Sequence, residues 1–418
     1  MTPLLYLVHR IPYPPNKGDK VRSFNILRFL STRYDVHLGT FVDNAEDVRH
    51  VSALTEFCAS SNVVRLTAFG SRLRSAAGLW TRGALSVHHY RHPAMSRWVA
   101  NVIATYGIDT ALIFSSAMAQ YVLGRPGLRT VVDFVDADSV KWAQYSRVRR
   151  WPASALYGRE ARRLLEFERR VAREAVASVF VSPAEAKVFT DLVPESADSV
   201  HTVRNGVDTE YFARDDLRTT PFSEAEEPIV FTGAMDYWPN IDGAIWFAHH
   251  VLPSIAKARP NARFYIVGME PVASVRALAQ DRRISVTGRV NDVRPYLQHA
   301  RVAVVPLRIA RGIQNKALEA MSMGCPLVVS EAAARSLPGM PGQHFETALS
   351  ADAFAAKTIA LIEPGRARAM RTAARAAVLA GCNWEGNLAA LASLLRLANL
   401  SNAGSVMEPF TAAGIGKA

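Results

Sequence analysis

The feature of this sequence that most constrains its fold is an alternation of short apolar runs with helical patterns, which occurs twice along the chain. The first series of predicted strands comprises Leu4–Val8, Val36–Phe41, Val63–Leu66, Thr110–Phe114, Thr130–Val135, Val176–Val181 and Val200–Val203. The second comprises Ile229–Thr232, Arg263–Val267, Ile284–Thr287, Val302–Val305 and Pro326–Val329. Strands that alternate with helices are typical of parallel sheets covered by helices. The pattern predicts an α/β protein with two doubly wound parallel sheets.

A polar, turn-rich stretch separates the two series and reads RNGVDTEYFARDDLRTTPFSEAEEP. Such a stretch is typical of a domain boundary. We therefore predict a first domain at 1–204 and a second at 205–383, followed by a helix at 384–400 that packs back on the first domain. Residues 401–418, rich in small side chains, are expected to form a flexible tail. Two such domains enclose a cleft, and sheets of this kind bind ligands at the carboxyl ends of their strands.

Charge and cysteine content narrow the possible partners and compartment. The net charge of +12 suits nucleic acid, an anionic membrane surface or a phosphate-rich small ligand. Aromatic residues do not interleave with the basic ones, so we do not expect a nucleic-acid partner. The three cysteines show no disulfide or metal-ligand spacing, which favours a reducing compartment. No apolar run approaches the roughly 18–20 residues of a membrane span, and we expect a cytoplasmic protein.

The segment most informative about function is RIARGIQNKALEAMSMGCPLVVS, which spans 308–330. It predicts a loop after a strand, then a helix that begins near Asn315 and ends at Gly324. Free amides and the helix dipole favour an anion at such a helix start. The loop and helix add positive charge from Arg308, Arg311 and Lys316, and Glu319 shares the face of Lys316.

A carboxylate beside a phosphate is repulsive unless it accepts hydrogen bonds from neutral hydroxyls, as a ribose offers. The segment therefore predicts a nucleoside diphosphate ligand. The alternative is a solvated basic loop in which Glu319 pairs with Lys316. Neither GxxxxGK[ST] nor GxGxxG occurs, so the common phosphate-loop classes are not supported.

Several runs carry a resemblance to a known family: YLVHRIPYPPNKGDKVRSFNILRFL, VVDFVDADSVKW, RNGVD, FTGAMDYWPNIDGAIWF, FYIVG, VTGRVNDVRPYL and PLRIARGIQNKALEAMSMGCPLVV. The chain resembles retaining glycosyltransferases of family 4, and among them the sugar transferases associated with exosortase and exopolysaccharide systems. The resemblance implies the GT-B fold, in which two Rossmann-like domains face each other. The first domain would hold the acceptor and the second the nucleotide sugar.

The resemblance also implies roles for particular residues. Lys316 would supply charge to the donor diphosphate, Glu319 would bind ribose hydroxyls, and Asp19 and Lys17 would lie on the acceptor side. Gly18 would let the backbone approach the donor, although an ordinary turn before a helix near Lys20 is the alternative. Further donor contacts fall on Arg289 and Val290 at the base, and on the backbone of Gly312, Ile313, Gln314 and Asn315.

This sequence departs from the family pattern at three places. Arg311 stands where the family has the first acid of a pair that ends at Glu319. Asp236–Trp238 occupies the region of an Arg/Lys pair that neutralises the diphosphate. We hypothesise that Arg311, with Arg308, replaces that charge and assists catalysis. The family's sugar-facing histidine has no counterpart at 114–116.

Three carboxylates lie at or after the end of the strand at Thr130–Val135, namely Asp133, Asp136 and Asp138. If the strand continues, Asp136 and Asp138 share one face; alternatively Asp138 caps the next helix. Asp136 is the candidate for contact with donor or acceptor, and the candidate nucleophile if one exists. The resemblance implies front-face transfer with retention, without a nucleophile, metal or cofactor. The alternative is that Asp136-Ala137-Asp138 acts as the DxD element of a metal-dependent, single-domain transferase.

Residues 142–174 are rich in arginine and also contain Trp151, Leu156, Tyr157, Leu164 and Leu165. This composition suits an anionic lipid surface, although Leu164, Phe167 and Val171 have the spacing of a packed helix face. We expect a glycosyltransferase, peripheral at the inner membrane face, that acts on a lipid-linked or glycan acceptor in surface polysaccharide assembly. The alternatives are a non-catalytic sugar-nucleotide-binding or scaffold protein and a sugar-nucleotide epimerase of the same fold.

Overall fold

The computed structural model describes residues 1–15, 17–66, 83–310 and 313–400, which form two domains, each built on a parallel sheet. The strands of the first sheet are β1 (Thr2–Val8), β2 (Tyr34–Val42), β3 (Ser60–Arg65), β4 (Thr110–Phe114), β5 (Arg129–Val135), β6 (Ala177–Phe180) and β7 (Val200–Thr202). The strands of the second are β8 (Glu227–Thr232), β9 (Ala262–Val267), β10 (Ile284–Gly288), β11 (Val302–Val305), β12 (Leu327–Ser330) and β13 (Glu346–Ala348). The predicted fold class is confirmed.

Helices cover the sheets. In the first domain they are α1 (Gly18–Ser31), α2 (Ala45–Val48), α3 (Leu85–His89), α4 (Pro93–Tyr106), α5 (Asp138–Val148), α6 (Ala153–Glu174) and α7 (Pro183–Leu192). The second domain has α8 (Trp238–Trp246), α9 (Leu252–Ala258), α10 (Ala273–Arg276), α11 (Arg294–His299), α12 (Asn315–Ser322), α13 (Glu331–Ala334), α14 (Ala351–Ile362) and α15 (Pro364–Gly381), and α16 (Trp384–Leu400) follows. None of these described helices combines the length and apolarity that a membrane span requires.

The chain passes between the domains twice, and the two passages touch. The Val207 amide donates to the Cys382 carbonyl at 2.8 Å. A Cβ added to Gly206 would lie 2.5 Å from the Trp384 nitrogen, so only glycine fits there. After this crossing, α16 packs on the first sheet and buries Leu388, Leu391 and Leu395 in its core. Residues 401–418, predicted as a tail, lie outside the described residues.

The strand orders place two ligand-binding edges opposite each other. The first sheet has the order β3-β2-β1-β4-β5-β6-β7 and the second the order β10-β9-β8-β11-β12-β13. The direction of winding reverses between β1 and β4 and between β8 and β11, which are the points where doubly wound sheets leave a crevice for ligands. The segments after β1 and β8 therefore line the cleft.

Among the residues that the structure describes, three other than glycine adopt left-handed backbone conformations, and each ends or follows a strand at a carboxyl edge. They are Ser115 (φ 74°), Val135 (φ 68°) and Glu270 (φ 55°). This conformation is costly for a β-branched side chain, and such strain concentrates at functional sites. The strained positions therefore mark the same edges that the strand order selects.

Candidate active site in the cleft between the domains

The amino ends of α1 and α12 face each other across the cleft. A Cβ added to Gly18 would lie 3.9 Å from Asn315 Nδ2, so the two helix starts are close. The predicted start of α12 near Asn315 is confirmed, and α1 begins at Gly18, two residues before the position predicted for its start. Two helix starts aimed at one space favour an anion there.

Lys316 lies inside this crevice beside the first strand of the second domain. Its ammonium donates to Asn240 Oδ1 and lies 4.9 Å from the centre of the Phe231 ring. A Cβ added to Gly233 would lie 3.1 Å from Lys316 Nζ, which explains why glycine follows β8. Burial lowers the pKa of Lys316 to about 7, although the charge of Glu319 opposes this shift. The ammonium therefore bonds to Asn240 and has no ion pair with Glu319 among the described contacts.

Glu319 is held in the same low-dielectric surroundings one turn further along α12. Burial raises its pKa to about 7, and the charge of Lys316 limits the rise. A bound diphosphate would favour the protonated lysine, while a carboxylate that accepts from hydroxyl groups suits a ribose.

The other donor-side candidates are placed as follows. Arg308 is paired with Asp242, which neutralises part of its charge. Ile313 packs on the core of the second domain, and the Gln314 carbonyl accepts from the Ala317 amide at 2.8 Å. Arg311 and Gly312 lie outside the described residues.

The proposed base site lies after β10, where Gly288 is left-handed with φ 68°. The Arg289 guanidinium reaches across the cleft to Glu46 at 3.1 Å. Val290 packs on the core of the second domain. Arg289 also lines a small pocket between the domains together with Arg10, Lys17, Lys20, Glu46 and Glu270. Donor-side and acceptor-side candidates thus share one space.

Lys17 makes two charged contacts with the second domain. Its ammonium lies 3.1 Å from Asp236 and 3.4 Å from Glu270. A hydrogen bond with Asp236 raises the pKa of Glu270, so these two carboxyl groups interact directly as well. Asp236 belongs to the segment that lacks the family's basic pair, and here a lysine of the first domain brings the positive charge.

Asp19 forms its charged contacts within the first domain. It lies 2.7 Å from Arg10 and 3.4 Å from His9 Nε2. Burial alone would raise the pKa of Asp19, but the hydrogen bond from His9 and the charge of Arg10 hold that pKa well below its usual range. His9 and Arg10 were not predicted from the sequence; their position directly after β1 is the signal that locates them.

The carboxylates after β5 do not share a strand face. The strand ends at Val135, which is left-handed, and α5 begins at Asp138. Asp133 is fully buried and bonds to Arg22 at 2.7 Å, so it is not a cleft residue. The alternation that placed Asp136 and Asp138 together was wrong because the backbone turns at Val135. Asp138 is in the first turn of α5, and the residue that precedes the helix, Ala137, makes no side-chain cap.

Asp136 nevertheless lies in a charged cluster at the cleft. The Asp138 carboxylate lies 3.6 Å from Lys141. The charge of Asp138, followed by those of Tyr237 and Asp136, raises the pKa of Lys141 despite burial. Tyr237 comes from the second domain, so this cluster also crosses the cleft. Lys141 was not predicted, and only its position one turn after Asp138 marks it.

Known glycosyltransferases resemble this chain in sequence over part of its length and in fold. Residues 226–364 match the family model described as glycosyl transferases group 1. This part of the chain is therefore similar to the glycosyl transferases of group 1. The matched range contains Lys316 and Glu319, and together with the two-domain fold it supports a transferase. The comparison with curated proteins found no match.

The solved structures show the same two-domain architecture at low sequence identity. Sucrose-phosphate synthase from Thermosynechococcus elongatus is 18% identical with a TM-score of 0.74, and the match covers 96% of this chain and 100% of that one. Anabaena HepE in complex with UDP and glucose is 14% identical with a TM-score of 0.69, covering 95% and 100%. WaaG, a glycosyltransferase involved in lipopolysaccharide biosynthesis, is 13% identical with a TM-score of 0.63, covering 94% and 99%. The fold is therefore GT-B.

Proposed function

We propose that this protein is a retaining glycosyltransferase that moves a sugar from a nucleoside diphosphate sugar to a lipid-linked or polysaccharide acceptor. The observation that carries the proposal is the position of Lys316 and Glu319 on α12, directly opposite the start of α1. Residues 205–383 would bind the donor and 1–204 the acceptor. HepE, which has the same fold, is described in complex with UDP-glucose, and a UDP-sugar is the first donor to test.

In the proposed reaction the bond between the sugar and the diphosphate breaks, and negative charge grows on the leaving diphosphate. The backbone amides at 312–315 and the Lys316 ammonium would stabilise that charge without reorganisation. Glu319 would hold the ribose, and Arg289 and Val290 would border the base. The acceptor hydroxyl would attack from the face that the diphosphate leaves, near Asp136, and its proton would pass to a leaving oxygen.

Arg311 and Arg308 are proposed to add positive charge at the phosphates. The pairing of Arg308 with Asp242 would reduce the contribution of Arg308. Arg311→Glu should therefore weaken donor binding at least tenfold, and Arg308→Gln should weaken it less. An unchanged donor affinity in Arg311→Glu would refute this role. The reaction is proposed to need no metal or cofactor, and turnover that survives EDTA would distinguish it from metal-dependent transfer.

The activity test has two stages. UDP-, GDP- and ADP-sugars are screened for a rise in melting temperature, since a ligand of the native state stabilises it. The stabilising donor, labelled in its sugar, is then incubated with membranes from a polysaccharide-producing bacterium. Labelled acceptor together with released nucleoside diphosphate supports transfer. Binding without turnover would support a non-catalytic protein, and an altered free sugar nucleotide would support an epimerase.

A membrane role is proposed for the turn between α5 and α6. Trp151 is 82% exposed and Val148 is 56% exposed. Arg147, Arg149 and Arg150 surround them and form no ion pair within the part of the chain that the structure describes. Leu164 and Val171 are buried against their own domain, so packing and docking use different faces. This exposed tip (Arg147–Trp151) lies near the cleft, because Tyr145 of α5 contacts Trp238 with ring centres 6.0 Å apart.

Flotation with vesicles of phosphatidylglycerol and phosphatidylcholine tests the tip. Wild type should float with the anionic vesicles, and Trp151→Ala combined with Arg150→Glu should not. Leu217→Ala is the matched control, because Leu217 is 91% exposed on the other domain. Equal flotation of the double variant and the control would contradict the proposed docking. The link to exopolysaccharide assembly rests on the identity of the acceptor found in the transfer assay.

A further inference from the structure

A buried polar chain links the first domain to the start of α12. Arg22 of α1 is 1% exposed; its Nε donates to Asp133 at 2.7 Å and its Nη1 to Asn205 Oδ1 at 2.7 Å. Asn205 lies in the linker and is 6% exposed. Its Nδ2 donates to Asn315 Oδ1 at 3.1 Å. These hydrogen bonds thus connect β5 of the first sheet to Asn315, the first residue of α12 at the donor site.

The chemistry of Arg22 fixes the direction of every hydrogen bond in this chain. A guanidinium donates and never accepts, so Asn205 must turn its oxygen toward Arg22. Its NH₂ group then faces Asn315, which must present its own oxygen. The amide nitrogen of Asn315 is therefore directed away from Asn205, toward Gly18 at the start of α1. This is the space between the two helix starts.

Further hydrogen bonds hold Asp133 and Asn205 in place. Asp133 is fully buried, and its Oδ1 accepts from the amide of Val135 at 3.1 Å, in the strained turn that ends β5. The Asn205 carbonyl accepts from Asn387 Nδ2 at 3.0 Å, which anchors the linker to α16. The Asn205 side-chain amide therefore cannot rotate without breaking a buried hydrogen bond.

We propose that the side-chain amide of Asn315 donates to the diphosphate of the bound nucleotide, and that Arg22 and Asn205 are positioning residues that set its direction. The inference rests on the proposed function and adds a side-chain contact at Asn315 to the backbone contact expected there. It assigns part of the donor site to the first domain, acting through Asn205. The group recognised is the diphosphate, so the effect is independent of the base.

The test reverses the hydrogen bond between residues 205 and 315 by a substitution at a residue that does not contact the ligand. In Asn205→Asp, Arg22 still has an acceptor, but the side chain at position 205 no longer donates. Asn315 must then rotate its amide so that Nδ2 donates to the new carboxylate, and Oδ1 turns toward the phosphates. UDP binding, measured by calorimetry, should weaken about tenfold, while the melting temperature of the ligand-free protein stays equal or rises because Arg22 gains a charged partner.

Two further variants distinguish the effect of the direction of the Asn315 amide from two other effects. These are the negative charge that aspartate introduces and a loosening of the linker between the domains. Asn387→Asp introduces the same chemical change beside the linker and removes a bond to Asn205, and it should change UDP affinity less than twofold. Asn315→Ala removes the amide, so it should weaken UDP binding by less than Asn205→Asp does. In the Asn315→Ala background, Asn205→Asp should have no further effect beyond twofold.

Unchanged UDP affinity in Asn205→Asp would overturn the inference. So would an equal loss in Asn387→Asp, or a loss in Asn205→Asp that persists without Asn315, because the effect would then be one of charge. If Asn205→Asp does not fold, Asn205→Ala serves in its place: it frees the Asn315 amide and should weaken UDP binding about threefold. Failure of wild type to bind UDP, GDP and ADP would instead overturn the proposed function, and this inference with it.

Discussion

Replacing Lys316 with methionine should stabilise the ligand-free protein and abolish nucleotide binding. The pKa of Lys316 is lowered by burial from 10.5 to about 7. Each pKa unit corresponds to about 1.4 kcal/mol, so the ammonium costs the folded state on the order of 5 kcal/mol below pH 7. Methionine removes this cost but leaves Asn240 Oδ1 without its donor, which costs about 1–3 kcal/mol. The net gain should be about 2–4 kcal/mol at pH 6.

The sign of the pH dependence follows from the same pKa values. Because the folded pKa lies below the unfolded one, the cost of the lysine is present in full below pH 7 and fades as the pH rises toward 10.5. Loss of the lysine charge also raises the pKa of Glu319 further. This second change affects the free energy of unfolding only at a pH where the Glu319 carboxyl ionises. The gain in Lys316→Met should therefore shrink to near zero at pH 9.

Urea unfolding of wild type and Lys316→Met at pH 6, 7.5 and 9 measures these differences. Lys257→Met, at an exposed lysine of the same domain, should change the free energy of unfolding by less than about 0.5 kcal/mol. A Lys316→Met protein that is less stable than wild type at pH 6 would refute the reasoning. A gain that does not depend on pH would refute it equally, since packing and not charge would then be the cause.

Three other perturbations follow from the structure. UDP affinity should fall as the pH rises through about 7, because Lys316 loses its charge. Equal affinities in calorimetry at pH 6 and 8.5 would exclude a charged contact at Lys316. Glu319→Gln should weaken UDP binding several-fold and leave pyrophosphate binding equal or tighter, as competition against a fluorescent nucleotide would show; an equal weakening of both would remove the ribose from its role. Gly206→Ala should destabilise the protein by about 1–3 kcal/mol through contact with the Trp384 backbone, whereas Gly365→Ala, where an added Cβ meets nothing within 4 Å, should not; equal urea midpoints would show that the linker crossing is loose.

Most strands could be predicted because their side chains are buried on both faces. Thr110–Phe114 and Val302–Val305 have the predicted bounds, and the other predicted strands differ at their ends by one to three residues. The strand Glu346–Ala348 was missed because it has only three residues at the edge of the sheet. Its Glu346 is buried and pairs with Lys357, eleven residues away, so no apolar run marks it.

The cleft was harder to predict because its contacts join residues far apart in sequence. The α12 segment could be located from its own composition, as a basic loop followed by a helix start. The contact of Lys17 with Asp236 and the chain from Arg22 to Asn315 join residues that only the fold brings together. The prediction for the residues after β5 was wrong for a different reason. Strand periodicity assumes a regular extended backbone, and the backbone leaves the strand at Val135, which is left-handed.

A crystal structure of the protein with the nucleoside diphosphate that most raises its melting temperature tests the central claim directly. We predict that the diphosphate lies between Gly18 and the start of α12, within hydrogen-bond distance of Lys316, and that the ribose hydroxyls donate to Glu319. A nucleotide bound at another place on the chain, or bound in the cleft with its phosphates away from Lys316, would contradict the account.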